Sequence, residues 1–127
     1  MKVVEGLKYS KDHEWVKVEG GIATIGVSDF AQQQLTDVVF VELPEKGKQA
    51  EQGKTMGVIE SVKSVSDVFA PVSGEIIEVN TKLSDSPELI NNDPYGEGWI
   101  AKVKIKDKAE LDSLLGHEEY AKTCESH

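Results

Sequence analysis

The chain has 127 residues, with 23 acidic side chains against 14 basic ones and a formal net charge of -9. Every basic residue is a lysine, so the density of cations that binds a nucleic-acid backbone or an anionic membrane surface is missing. An apolar content of 39% suits a folded chain rather than a disordered one, and residues 1–127 read as one domain.

Alternating runs at 15–19 and 22–27 flank Gly20-Gly21, which is a hairpin signal. Ser28 is placed to cap a short helix predicted over 29–35. Strands are predicted at 38–43, 55–62, 65–70, 75–79 and 99–106, each closed by turn residues. Ser86 and Pro87 read as the cap and first residue of a single helical turn ending near Asn91. Asp107 to Glu110 looks like a capping box that starts a helix carrying Leu111, Leu114 and Leu115 on one face, with Gly116 as its stop. A last helix is predicted from His117 to about Cys124. Many short strands with frequent turns indicate an all-β barrel or sandwich. The longest apolar run, residues 38–41, falls far short of the ~20 residues that a membrane helix needs.

A pattern of Val, Pro and Gly recurs. Val41, Pro44 and Gly47 are matched 27 residues on by Val68, Pro71 and Gly74. Each copy reads as a strand ending in a turn, which suggests two similar half-sheets about a pseudo-twofold.

The segment from Val58 to Phe69 carries the functional signal. Alternating runs on both sides place Lys63-Ser64 at a hairpin tip, without the Asn-Gly or Asp-Gly that such turns favour. A turn that ignores local preference inside a consistent hairpin marks a functional position. With a two-residue loop of Lys63-Ser64, Val62 faces Val65, Ser61 faces Ser66 and Glu60 faces Asp67. Two carboxylates directly opposite one another repel, so this register suggests either a salt-bridge cluster or a site for a cation. Most of the 14 lysines are ordinary solvated side chains. An exposed amine alone on a rigid tip, however, is what a ligase needs to attach a carboxylic-acid cofactor.

Several segments carry a resemblance. They are His13-Glu14-Trp15-Val16, Val38-Val39-Phe40-Val41-Glu42-Leu43-Pro44, Glu60-Ser61-Val62-Lys63, Ser66-Asp67, and Pro71-Val72-Ser73-Gly74-Glu75. Pro87-Glu88-Leu89-Ile90-Asn91 and Asp93-Pro94-Tyr95-Gly96-Glu97-Gly98-Trp99 complete the set. In this order and spacing, from about Leu7 to the C-terminal helices, the chain resembles the glycine cleavage H-protein family. The family often has alanine after the lysine, where this chain has Ser64.

The resemblance implies a mainly β barrel-sandwich hybrid of two sheets, with short helices that include C-terminal ones. It implies lipoic acid held as an amide on Lys63, with Glu60 and Gly74 read by the lipoate-attaching enzymes. The implied partners are glycine decarboxylase (the P protein), the aminomethyltransferase (the T protein) and dihydrolipoamide dehydrogenase (the L protein). The protein would be a shuttle and no enzyme: the arm takes the aminomethyl group of glycine, passes its carbon to tetrahydrofolate and is reoxidised. A monomer is expected.

An aminomethyl group on sulfur is open to attack by water, so the loaded arm should rest in a sheltered cleft between visits. Its ammonium would favour carboxylates. Glu14 and Asp67 are assigned to that amine, with Asp12 as a weaker third. The plainer reading of Glu14 is a solvated charge at a strand end.

Other readings fit less well. Biotin carriers typically set their lysine in Met-Lys-Met, and lipoyl domains of 2-oxoacid dehydrogenases usually place Asp before it; here Val62 and Ser64 are the neighbours. His117, Cys124 and His127 are spaced too widely, and offer too few ligands, for a structural zinc site. A relay that passes lipoate to other proteins, or an unmodified acidic module on the same fold, are the alternative functions. The N-terminus lacks the apolar core of a signal peptide, so the expected location is a bacterial or archaeal cytoplasm, or the mitochondrial matrix for a processed form.

Overall fold

The structure, a computed structural model, describes residues 2–125. Nine strands form in chain order: β1 (Lys8–Tyr9), β2 (Glu14–Glu19), β3 (Ile22–Val27), β4 (Val38–Glu42), β5 (Gln49–Ala50), β6 (Thr55–Ser61), β7 (Val65–Phe69), β8 (Gly74–Val79) and β9 (Ala101–Ile105). They build two antiparallel sheets, one of six strands in the order β1-β2-β3-β9-β8-β5 and one of three in the order β4-β6-β7. Alternate residues of both turn inward, so Val16, Ile25, Val41, Ile59, Ile76 and Val103 are buried in one apolar core.

The repeated Val-Pro-Gly pattern has a structural meaning. Val41 and Val68 are buried on β4 and β7, the strands that flank β6. After each, the chain passes its proline and glycine and enters the larger sheet, where β5 and β8 pair with each other.

Of the helices α1 (Asp29–Leu35), α2 (Lys82–Asp85), α3 (Leu89–Asn92) and α4 (His117–Glu125), α2 packs against β4, α1 against α3 and α4 against β1. The Ser28 side chain caps α1, accepting from the Ala31 N–H at 3.1 Å. Helix α3 starts later than Ser86-Pro87 suggests, because those residues form turns whose carbonyls accept from Leu89 and Ile90. Residues Lys108–Ser113 form a 3₁₀ turn instead of an α-helix. There the Glu110 carboxylate leaves its capping role and accepts from the Ser73 N–H at 2.7 Å and its hydroxyl at 2.8 Å. Helix α4 docks through Tyr120, whose ring stacks on Tyr9 with centroids 4.2 Å apart. The Trp15 indole, also buried beside this cluster, donates to the Pro94 carbonyl at 2.9 Å. No helix among the described residues is long and apolar enough to cross a membrane. His127 lies outside the described residues.

Candidate functional site

The β6–β7 hairpin pairs Glu60 with Val65, Ile59 with Ser66 and Val58 with Asp67. The predicted register is therefore corrected by two residues: Glu60 and Asp67 are diagonal, not directly opposite, and their repulsion predicts no cation. The loop residues are Val62-Lys63, closed by a Ser61 N–H that donates to the Ser64 carbonyl at 2.8 Å.

This register also explains how the tip does without glycine. Val62 and Lys63 are not among the residues with positive φ. Instead the Ser61 hydroxyl accepts from the backbone N–H of Ser64 at 3.1 Å and of Lys63 at 3.4 Å, turning the chain from within. The Val62 N–H donates to the Asp37 carbonyl at 3.0 Å, which ties the tip to the start of β4. That start is itself clamped by Asn91, whose amide donates to the Thr36 carbonyl at 2.6 Å and accepts from the Val38 N–H at 2.9 Å. Thr36 is held at φ 61°, unusual for a β-branched residue. The clamp holds a rigid tip with the Lys63 side chain exposed, and no ion pair reaches it among the described residues.

Beside the tip opens a cleft of about 500 Å³. Ser64, next to Lys63, lines it together with Asp12, Glu14 and Asp67, so the three carboxylates assigned from the sequence share one cavity. Phe30, Leu35 and Val68 give it an apolar wall. A second cleft of about 490 Å³ adjoins it, and Asp12 and Glu14 line both.

Glu14 is the unusual member. It is 2% exposed, which overturns its reading as a solvated strand-end charge. Ser10 donates to one carboxylate oxygen and the Phe69 N–H donates to the other at 3.2 Å. Desolvation outweighs these two bonds and pushes the carboxyl up to about 8, with Asp12 adding repulsion. Burial thus favours the neutral, protonated form of this carboxyl near neutral pH.

The wall has a further layer that the sequence did not single out. His13, held at φ 73°, places Nδ1 2.8 Å from the Tyr120 hydroxyl, which lies 2.6 Å from the Ser28 hydroxyl. The C-terminal helix is thereby tied to the residue before Glu14. Tyr120 at a buried helical position was the available signal, though its partners lie about a hundred residues away in sequence.

Glu60 and Gly74 are not brought together. Glu60 is half-buried on β6, while Gly74 opens β8 in the other sheet. Gly74 has φ 152°, and a Cβ there would lie 1.9 Å from the Lys104 carbonyl oxygen, so the fold itself demands glycine.

Comparison with known proteins gives a consistent result. The family model of the glycine cleavage H-protein matches residues 7–127. The glycine cleavage system H protein of Coprothermobacter proteolyticus is 58% identical over 121 residues, which is 94% of this chain and 95% of the relative. That of Symbiobacterium thermophilum is 62% identical over 109 residues, covering 86% and 85%. Glycine cleavage system H protein 3, mitochondrial, of Arabidopsis thaliana is 56% identical over 123 residues, covering 97% of this chain and 74% of that one. The crystal structure of a glycine cleavage system H protein from Mycobacterium marinum superposes with a TM-score of 0.87 at 40% identity, covering 94% of this chain and 97% of that one. Sequence, fold and near-complete coverage agree, and the chain belongs to the glycine cleavage H-protein family.

Proposed function

We propose that this chain is the lipoyl carrier of the glycine cleavage system, with lipoic acid joined as an amide to Lys63. The observation that carries the reading is an exposed amine on a braced hairpin tip beside a cleft that ends on a buried carboxyl. The residues fit the group: Lys63 would hold it, the apolar wall of Phe30, Leu35 and Val68 would shelter it, and Ser64 opens the way in. When bound, the group supplies a disulfide that accepts the aminomethyl fragment of glycine.

The chain's own residues bind, orient and exclude water. Glu14 and Asp67 take the ammonium end of the cargo, with Asp12 adding negative potential from the shared wall. Ser10 and the Phe69 N–H orient the Glu14 carboxylate for that contact. Glu60 is read by the lipoate-attaching enzymes at the tip, and Gly74 serves them by holding the β8 corner in shape. The partners are glycine decarboxylase, the aminomethyltransferase and dihydrolipoamide dehydrogenase, each meeting a monomeric carrier that performs no chemistry itself. Bacterial relatives and one named mitochondrial suit a cytoplasmic or matrix setting.

Intact mass after expression in lipoate-competent cells tests the assignment. The protein should gain one lipoyl increment, and Lys63→Arg should lose it without losing the fold. An increment that survives in Lys63→Arg, or never forms on the parent, removes the proposal. For the cleft, Glu14→Ala should speed the release of formaldehyde and ammonia from the loaded protein by about tenfold, the scale of one lost charge-assisted contact. An unchanged decay rate would show that Glu14 does not hold the amine.

A further inference from the structure

Five large apolar side chains stand out as exposed among the described residues, and four of them surround Lys63. Val62 is 67% exposed in the loop itself, Val65 66% on β7, Val39 54% and Phe40 49% on β4. The pairings explain the grouping. Phe40 lies opposite Glu60, and Glu60 lies opposite Val65, so the three form one row across the outer face of the small sheet. Val39 sits in the β-bulge beside that row. The inward side of the same strands, with Val41 and Ile59, is buried as core.

Burial cannot be the purpose of these side chains, since they point away from the core that would reward it. Singly exposed apolar residues are ordinary, but a contiguous group on a rigid surface marks a contact with another molecule. The charges define what that molecule looks like. Glu60 stands in the middle of the row with no hydrogen bond or ion pair on its carboxylate among the described residues. The next row adds a second carboxylate to this face, Glu42 opposite Val58. A fitting partner therefore presents an apolar surface with a basic side chain at its centre.

We infer that this face is the docking surface of the enzyme that attaches the lipoyl group, with Phe40, Val62 and Val65 seated on apolar surface and Glu60 met by a cation. The inference rests on the reading of Lys63 as the attachment site. Distance selects this occupant over the other partners. The amide forms when the Lys63 amine attacks the carbonyl of an acyl adenylate; the carbon–nitrogen bond forms, the bond from carbon to the adenylate oxygen breaks, and the amine gives up a proton. A lysine side chain reaches only about 6 Å from its Cα. The attaching enzyme must therefore touch the residues flanking Lys63, whereas the other enzymes work at the far end of the finished arm.

The test uses unmodified full-length protein with a purified lipoate–protein ligase, ATP and lipoic acid, followed by intact mass against time. Phe40→Ser and Val65→Ser should each lower kcat/KM for modification by about tenfold, mainly through KM, as truncated anchors do. Val18→Ser, which removes the fifth exposed side chain from β2, should be modified at the parental rate. Thermal unfolding of all three should match the parent within about 2 °C, because surface side chains contribute little to stability. After prolonged modification to completion, reduction of the arm by dihydrolipoamide dehydrogenase should proceed equally in all of them. A parent that is modified together with Phe40→Ser and Val65→Ser variants at equal rates would overturn the surface while leaving Lys63 in place. Loss of arm reduction in parallel with loss of modification would overturn the choice of occupant. A parent that takes no lipoyl group would overturn both readings at once.

Discussion

Gly74→Ala is expected to cost the folded state about 3 kcal/mol or more, lowering Tm by about 10 °C for a chain of this size. The reason is backbone against backbone. The new Cβ would lie 1.9 Å from the Lys104 carbonyl oxygen and 2.9 Å from a Val103 methyl carbon, and φ at this position is 152°. No flexible side chain can move aside. Relief requires β8 to lift from β9, where Gly74 pairs with Ile105, or from β5, where it pairs with Ala50. Gly74 is itself the last residue of the second copy of the Val-Pro-Gly pattern, so the disturbance reaches the turn after Pro71. Thermal and urea unfolding of parent and variant measure the cost. A Tm within about 2 °C of the parent would mean that the strand shifts freely. The same variant separates two roles for this glycine: loss of lipoylation in step with loss of folded protein is a shape effect, and loss in a fully folded variant is direct recognition.

The sequence disclosed the hairpin but not its register, and the difference is instructive. Alternation over Val58 to Phe69 locates two strands and puts Lys63 near the turn, because side-chain period depends only on local pattern. Register depends on how the turn closes, and here a Ser61 hydroxyl closes it where glycine chemistry was expected. Ser61 is one of several serines in the segment, and nothing in its neighbours marks it as the acceptor. Strands β1 and β5, of two residues each, escaped for a related reason. Two residues carry no period, and only pairing with β2 and β8 makes them strands. The half-formed capping box at Asp107, whose side chain does cap by accepting from the Ala109 N–H at 3.0 Å, shows the opposite case. The local pattern was real, but Glu110 finds a better donor pair in Ser73, far away in sequence.

Site residues divide along the same line. Lys63 was legible because the attachment role proposed for it requires exposure, which a hairpin tip provides locally. Asp12, Glu14 and Asp67 were assigned through resemblance and charge, and the structure gathers all three around one cleft. What the sequence left invisible is that Glu14 is buried. Its surroundings come from Ser10, from Phe69 at the end of β7 and from the packing of both walls, none of which follows from the strand that bears it. Asn91 and Asp37, which brace the tip through backbone carbonyls and amides, are silent for the same reason.

Burial of Glu14 leads to the second large expectation: Glu14→Gln should stabilise the protein by about 4 kcal/mol at pH 8 and by less than about 1 kcal/mol at pH 5. In the unfolded chain the carboxyl titrates near 4.5, while in the folded protein burial pushes it up to about 8. Between those values the folded state holds a proton that the unfolded state has released, so stability falls as pH rises through this window and levels off above it. Glutamine imitates the protonated acid. Its carbonyl can accept from the Phe69 N–H and its amide can donate to the Ser10 hydroxyl, so both partners stay satisfied. The variant should therefore lose the downward slope that the parent shows. Tm profiles of the two proteins from pH 5 to pH 9 decide the matter, and parallel curves would mean that the hydrogen bonds outweigh desolvation. The same balance bears on the proposed role of the cleft. A neutral acid costs little to keep buried, and an ammonium docked there would exchange that proton for an ion pair in a poorly solvated site. Docking of the loaded arm should then release a proton near neutral pH, and replacing Glu14 by glutamine removes both the ion pair and the proton release.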